Sequence, residues 1–158
     1  MGQEIERKFL VSGDAWRSLG TGTLYRQGYI PTPDSRTVRV RLVGDQGYFT
    51  LKGPAVGIVR PEFEYPIPAA DATEILETLC DPPLVEKMRY RIPQGGLVWE
   101  VDELLGANQG LVIAEVELPD AAYELQLPEW VSTEVTADPR YLNVNLAKCP
   151  FSEWTLPR

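Results

Sequence analysis

The chain has 158 residues and a formal net charge of −8, with 44% hydrophobic and 24% charged residues. This composition is typical of a globular protein, and no run approaches the roughly 20 apolar residues that cross a bilayer, so we expect one cytoplasmic domain over residues 1–158 without a membrane partner. The acidic balance argues against a nucleic-acid partner, since such proteins present a basic surface. The absence of histidine excludes histidine-based triads and histidine metal ligands, so oxygen ligands would hold a metal ion, which favours Mg²⁺, Mn²⁺ or Ca²⁺ over structural zinc.

Short runs of β-forming residues predict eight strands along the chain. Turn-forming clusters such as Gly44-Asp-Gln-Gly47 and Pro93-Gln-Gly-Gly96 separate several of them. The predicted strands span residues 4–11, 24–30, 37–43, 47–52, 59–66, 84–92, 97–104 and 112–118. Eight short strands, several joined by tight turns, indicate an antiparallel barrel or sandwich.

Four segments with helical character interrupt or follow these strands. The predicted helices span residues 12–19, 71–79, 120–127 and 138–148. In the second, Ala72, Ile75 and Leu76 recur at helical spacing, and the fourth begins with Asp138 as N-cap and Pro139 at its first position. The sequence therefore predicts an α+β protein dominated by strands, with helices outside the sheet or at one end.

Charged residues recur at alternate positions in most of the predicted strands, and alternate side chains of a strand share a face. The residues that share a face in this way are Glu4, Glu6 and Lys8; Arg39 and Arg41; Lys52; Glu62 and Glu64; Lys87, Arg89 and Arg91; Glu100 and Asp102; Glu115 and Glu117. One alternative is a sandwich with an apolar interior and two solvated charged faces. The other is a closed barrel with the charges in its lumen and apolar faces outward, which we favour because the pattern recurs in so many strands.

A charged lumen needs chemical compensation, because buried charges are destabilising unless they pair or bind an ion. Arg and Lys side chains offer hydrogen-bond donors to phosphate oxygens. Clustered carboxylates bind a hard divalent cation, which in turn bridges phosphate oxygens. Basic and acidic clusters in one cavity therefore predict a site for a complex of a metal ion with a polyphosphate.

The ordered motifs resemble those of the CYTH superfamily, also called triphosphate tunnel metalloenzymes. Glu4-Ile-Glu-Arg-Lys8 matches the ExExK signature of that family. It is followed in order by Arg39-x-Arg41, Thr50-Leu-Lys52, Glu62-x-Glu64, Glu86-Lys-x-Arg89, Glu100-x-Asp102, Glu115-x-Glu117 and Arg140-Tyr-x-Asn143. The set spans nearly the whole chain and is most similar to that of the short bacterial inorganic tripolyphosphatases.

This resemblance implies an eight-stranded antiparallel closed β-barrel, a tunnel with a charged lumen and helices packed outside. It also implies that Mg²⁺ or Mn²⁺ and a triphosphate bind in the lumen. The implied metal ligands are Glu4, Glu6 and Glu117, with Glu115 beside them and Asp102 as a further candidate. The implied substrate-binding residues are Lys8, Arg39, Arg41, Lys52, Lys87 and Arg89. For Glu62, Glu64 and Asp102, a second metal, water positioning and pairing with basic residues stay open.

The implied reaction is hydrolysis of inorganic tripolyphosphate to diphosphate and phosphate, with Lys87, Glu115 and Glu64 as the catalytic residues. Lys87 would protonate the departing diphosphate if repulsion by Arg89 and Arg91 lowers its pKa. A thiamine or nucleoside triphosphatase, a class IV adenylate cyclase and a non-catalytic polyphosphate-binding module are the alternatives. The expected partner is a small triphosphate or tripolyphosphate, and the chain would be a monomer or a homodimer.

Overall fold

The computed structural model describes residues 2–154, which form nine strands and two α-helices. The strands are β1 (Gln3–Val11), β2 (Gly22–Ile30), β3 (Thr37–Val43), β4 (Gln46–Lys52), β5 (Val59–Ile67), β6 (Val85–Gln94), β7 (Leu97–Leu104), β8 (Val112–Glu117) and β9 (Val131–Glu134). The helices are α1 (Ala69–Thr78) and α2 (Asn143–Lys148), and 3₁₀ segments span Ala15–Leu19, Gly106–Asn108, Pro139–Tyr141 and Phe151–Glu153. Within residues 2–154, no helix is long and apolar enough to span a membrane.

Eight strands close into an antiparallel barrel. Their order is β5-β4-β3-β2-β6-β7-β8-β1, and β1 returns to pair with β5 at Gln3↔Pro61, Glu4↔Arg60 and Ile5↔Val59. This last pairing confirms the barrel and excludes the open sandwich. The short β9, which the sequence did not predict, pairs with the edge of β1 opposite β8, at Phe9↔Glu134 and Val11↔Val131, and extends the sheet outside the closed ring.

The outward face of β1, β6, β7 and β8 carries the largest apolar core. Phe9 and Trp99 point away from the lumen and pack with Trp130, and the first 3₁₀ segment contributes the buried Trp16. Burying side chains of this size stabilises the fold because each removes a large apolar area from water. The expectation that apolar strand faces lie outward is therefore met on this side of the barrel.

α1 packs on the outside of β3 and β4. Its Ala72 and Leu76 are buried with Val40 of β3. The backbone of β4 approaches the helix closely at Gly47, where a Cβ atom would lie 2.8 Å from the Cβ of Ala72. A larger residue at this position would push α1 away from the barrel.

α2 takes a different place, at one end of the barrel. Its fully buried Leu146 packs with Val85, Leu104 and Ile113, which occupy the same strand faces as the charged lumen residues further along. The inner face of the barrel is thus charged in the middle and apolar at this end. The prediction that helices pack outside holds for α1, whereas α2 closes an end of the lumen.

Three predicted helices differ from the structure. The first, predicted over residues 12–19, is a 3₁₀ segment confined to Ala15–Leu19. Residues 120–127 form a turn and an extended segment, because the Asp120 carboxylate accepts a hydrogen bond from the Ala122 N–H and caps a turn instead of a helix. The predicted helix 138–148 is interrupted at Leu142, which is extended with φ −68° and ψ 133°. Asp138 still caps the first part, since its side chain accepts from the Arg140 N–H.

Candidate active site

The barrel encloses a cavity of about 360 Å³ that is lined by residues from all eight closing strands and by Leu142, Asn143 and Val144. The charged side chains on its wall are Glu4, Glu6, Lys8, Arg39, Arg41, Lys52, Arg60, Glu62, Glu64, Lys87, Arg89, Arg91, Glu100, Glu115 and Glu117. We call this cavity the lumen. Every sequence-predicted site residue except Asp102 lies on its wall, and Asp102 is buried directly behind Lys87 and Arg89.

The acidic side of the lumen is built by β1 and β8. Their antiparallel register places Glu6 opposite Glu117 and Lys8 opposite Glu115. Burial, reinforced by the nearby carboxylates of Glu115 and Glu4, raises the pKa of Glu6 to about 8. Burial and the charges of Glu4, Glu62 and Glu100 likewise raise the pKa of Glu117. These carboxylates repel one another, which is the condition that a bound cation relieves.

The donor set of this side fits a hard divalent cation, because it consists of carboxylate oxygens. In residues 2–154, however, no three acidic or cysteine side chains are already arranged as metal ligands. Lysine ammonium groups instead pair with two of these carboxylates: Lys52 Nζ lies 2.9 Å from Glu4 Oε1, and Lys8 Nζ lies 3.3 Å from Glu115 Oε1. The residues therefore fit a metal by chemistry, and binding would require these lysines to exchange their carboxylates for another anion.

On the basic side, Lys87, Arg89 and Asp102 form a buried cluster between β6 and β7. Arg89 donates two hydrogen bonds to Asp102, at 2.7 and 2.8 Å, and Lys87 Nζ lies 2.9 Å from Asp102 Oδ2. Burial, with the charges of Arg89 and Arg41, lowers the pKa of Lys87 to about 7. The predicted lowering is thus present, but its main cause is burial. The other arginine invoked from the sequence, Arg91, is largely exposed and is paired with a glutamate of β7.

Arg39 and Arg41 supply positive charge that the described carboxylates do not fully neutralise. Arg39 Nη2 contacts Glu64 at 3.3 Å, while its buried Nε has no hydrogen-bond partner among residues 2–154. Arg41 Nε donates to Gln27 Oε1 at 2.8 Å, and no carboxylate of the described chain lies within 4.0 Å of its guanidinium. Burial and the neighbouring Arg39 and Arg89 lower the pKa of Arg41 to about 10. A half-buried cation with such neighbours is suited to bind an anion.

Three uncharged residues complete the basic side, and the sequence reading missed their part in it. The ring of Tyr25 lies 5.0 Å from the Arg41 guanidinium carbon and 4.9 Å from that of Arg89. Asn143 at the start of α2 accepts a hydrogen bond from Lys87 Nζ at 3.0 Å, and the fully buried Gln27 bonds Arg41. Tyr25 and Gln27 alternate with Tyr29 on the inward face of β2, and this alternation is the sequence feature that could have indicated them. The pattern of charged residues does not include them, because both side chains are neutral.

Two glutamates of β5 and one residue of the last sequence motif also line the lumen. Glu64 accepts hydrogen bonds from Thr50 and Arg39, and its exposed side chain lines the lumen. Glu62 Oε2 lies 3.3 Å from Lys52 Nζ. Of the Arg140-Tyr-x-Asn143 motif, only Asn143 reaches the lumen, because Arg140 is paired with Asp138 and is not among the lining residues.

Comparison with known proteins identifies the family and similar folds. The CYTH domain family matches residues 2–147. The chain is 56% identical over 154 residues to the inorganic triphosphatase of Acetivibrio thermocellus, covering 98% of this chain and 99% of that protein. It is 40% identical over 149 residues to the inorganic triphosphatase of Nitrosomonas europaea, covering 91% and 96%. A crystal structure of an inorganic triphosphatase superposes with a TM-score of 0.63 at 34% identity, covering 91% of this chain and 97% of that one.

Proposed function

The chain belongs to the CYTH domain family, and we propose that it hydrolyses inorganic triphosphate to diphosphate and phosphate with the help of a divalent metal ion. The observation that carries the proposal is the lumen, in which unneutralised arginines face a cluster of mutually repelling carboxylates. The high identity to two proteins named inorganic triphosphatase supports the choice of substrate.

Glu4, Glu6 and Glu117 would hold the metal ion, with Glu115 at their border. Mg²⁺ or Mn²⁺ suits a site made only of carboxylate oxygens. When bound, such an ion supplies neutralising charge to phosphate oxygens and polarises water. The Asp102 carboxylate is ion-paired with Lys87 and Arg89. We therefore assign Asp102 the role of fixing these two side chains and not that of a metal ligand.

The phosphate chain would lie along the basic side. Lys8, Lys52, Arg39, Arg41, Lys87 and Arg89 line the lumen there. On phosphate binding, Lys8 and Lys52 would turn from their glutamates to phosphate oxygens and so release carboxylates for the cation. Phosphoryl transfer depends mainly on such positioning and charge stabilisation, which lower the barrier without covalent chemistry by the protein.

Three residues are assigned to the chemical step. Glu64 and Glu115 would orient the attacking water through their carboxylate oxygens. Lys87 would deliver the proton to the departing diphosphate, because a pKa of about 7 lets its ammonium give up a proton near neutral pH. Its bonds to Asp102 and Asn143 hold the ammonium in one place.

A substrate and metal screen tests the proposal. Inorganic triphosphate, thiamine triphosphate and ATP are incubated with Mg²⁺, Mn²⁺ or EDTA, and the products are separated. We expect metal-dependent formation of phosphate and diphosphate from inorganic triphosphate, with much slower turnover of the organic triphosphates. Cyclic AMP from ATP, binding without turnover, or similar slow rates on all three substrates would contradict the assignment.

Glu6→Gln tests the proposed metal ligands, since it replaces the ionisable carboxyl group and keeps the shape of the side chain. We expect this variant and Glu4→Gln to lose metal-dependent turnover while they remain folded. Full activity of either variant would remove that glutamate from the proposed metal site.

A further inference from the structure

Arg60 lines the lumen but is neither one of the proposed metal ligands nor one of the proposed phosphate-binding residues. It lies at the start of β5 with the same inward parity as Glu62 and Glu64, and its half-buried side chain lines the cavity. In the closing seam of the barrel it stands opposite Glu4 of β1. Its position therefore borders both the proposed metal ligands and the basic side.

The guanidinium of Arg60 is fixed in place but not neutralised. Its Nε donates to the Gly53 carbonyl oxygen at 2.7 Å, and its Nη2 donates to Thr37 Oγ1 at 2.8 Å. No carboxylate in residues 2–154 lies within 4.0 Å of it, whereas the neighbouring Lys52 contacts both Glu4 and Glu62. The guanidinium is thus held by two neutral acceptors, and its remaining N–H donors are available to an anion.

Arg60 also marks a boundary in the interior of the protein. A second cavity, of about 480 Å³, lies between the loop after β2, the Asp81-Pro-Pro segment and α2. It shares Tyr29, Thr37, Arg60, Leu142 and Val144 with the lumen, so the two spaces meet at this neck.

The two cavities differ in charge. Besides Arg60, the wall of the second cavity carries two cations, Arg36 and Lys148, and three carboxylates, those of Asp34, Asp81 and Glu153; Arg36 is paired with Asp34. This composition does not favour the continuation of a polyanion beyond the neck. An unneutralised arginine at the point where the favourable field ends is suited to hold the last phosphoryl group of a chain, whose terminal oxygens carry the most negative charge.

We propose that Arg60 and Thr37 form a terminal-phosphate subsite at the neck, which fixes one end of the triphosphate and limits its length. Arg60 binds the terminal oxygens through its free N–H donors. The Thr37 hydroxyl oxygen orients Arg60 by accepting its hydrogen bond, and the Thr37 O–H donates a hydrogen bond to phosphate. Thr37 is buried and lines the lumen, and it pairs in register with Lys52, which continues the same anion path. This subsite rests on the proposed triphosphate function.

Binding of inorganic triphosphate to the full chain in EDTA, measured by isothermal titration calorimetry, tests the subsite without turnover. Removing a charged donor to phosphate weakens binding by about tenfold or more, so we expect this loss in Arg60→Gln. Arg60→Lys restores the charge and is expected to recover part of the affinity. Thr37→Val keeps the shape of the side chain and should give a smaller loss. Arg36→Gln, an arginine of the second cavity that is already paired, should bind as the wild type does.

Each outcome bears on one of the two claims. Affinity unchanged in Arg60→Gln, or lowered equally in Arg36→Gln, would overturn the subsite. An equal loss in Arg60→Lys and Arg60→Gln together with a lower Tm would show that Arg60 only anchors the backbone at Gly53, which also overturns it. Failure of the wild type to bind triphosphate in EDTA would overturn the subsite, whereas failure to hydrolyse triphosphate in the metal screen would contradict the proposed function itself. A loss confined to the Arg60 and Thr37 variants supports the subsite.

Discussion

Asp102 shows how one buried residue sets the chemistry of its neighbours. Burial by itself would raise its pKa, but Arg89 and Lys87 outweigh burial and hold the pKa of Asp102 below its usual value. The carboxylate therefore stays charged, with its oxygens taken up by these two cations. Such a pair is strongly destabilised if one member is removed, because the remaining charge is left buried. Asp102 thus fixes the position of Lys87 relative to the lumen.

Lys87→Ala tests the proposed proton donor. General acids contribute about 10² to 10⁴ in rate, so we expect kcat for inorganic triphosphate to fall at least about 100-fold. The change in KM should be smaller, because several other cations still hold the substrate. Steady-state kinetics with Lys148→Ala as control, a lysine of α2 outside the lumen wall, separates the two parameters. A rise in KM with unchanged kcat would contradict the acid role.

Tyr25 is predicted to position two arginines of the basic side. Its ring lies close to both Arg41 and Arg89, and cation–π contacts of this kind contribute roughly 0.5–2 kcal/mol. Tyr25→Leu should therefore raise KM for triphosphate by about 2- to 30-fold at nearly constant kcat. Tyr25→Phe retains the ring and should behave as the wild type. A similar loss in the phenylalanine variant would instead assign the effect to the hydroxyl group.

α2 is a short element whose contribution is concentrated in one side chain. Leu146 is fully buried among residues that close the apolar end of the lumen. Leu146→Ala should lower the free energy of unfolding by about 2–5 kcal/mol, as large-to-small changes in a core do. Urea denaturation measures this loss, and Leu79→Ala, at a position that is 59% exposed, should change stability by less than about 0.5 kcal/mol. Equal effects of the two variants would mean that α2 does not close the barrel.

The elements differ in how far the sequence predicts them, and the reasons are physical. Most of the barrel strands follow from alternation, because they have one charged face and one mainly apolar face. β9 has only four residues, too few to show a period. The segment 120–127 has helix-forming residues, but Asp120 makes a local hydrogen bond that favours a turn. Leu142 interrupts the last predicted helix where its neighbour Asn143 reaches Lys87, a tertiary contact that no local pattern encodes.

At the scale of the whole molecule, closure of the barrel brings the charged faces of separate strands around one cavity. Charged residues on separate strands were predictable as members of one lumen, because strand parity assigns each to the same face. Which cation meets which carboxylate depends on register between strands, as with Lys8 opposite Glu115, and register is not visible in the order of motifs. Strand parity places Tyr25 and Gln27 on the inner face, but their contacts with the arginines and the neck at Arg60 follow only from the closed structure.

The seam between β1 and β5 is the weakest part of that closure and lies beside the proposed site. It consists of three register pairs, whereas β6 and β7 pair over eight. Lys52 of β4 spans the seam, since its ammonium contacts both Glu4 and Glu62. Short pairings open at lower free energy than long ones, so amides of the seam should exchange hydrogen faster than those between β6 and β7.

Ligand binding is expected to change this difference. Triphosphate and metal bound between β1, β4 and β5 would hold the seam closed, and at about ten times Kd the protection of its amides should rise about tenfold. Hydrogen exchange followed by mass spectrometry on the slow variant Lys87→Ala measures this before the substrate is consumed. Peptides of α1 serve as the internal control, because this helix packs on the outside of the barrel and contributes no residue to the lumen wall. Unchanged exchange in residues 3–5 on binding would show that the seam and the site are not coupled.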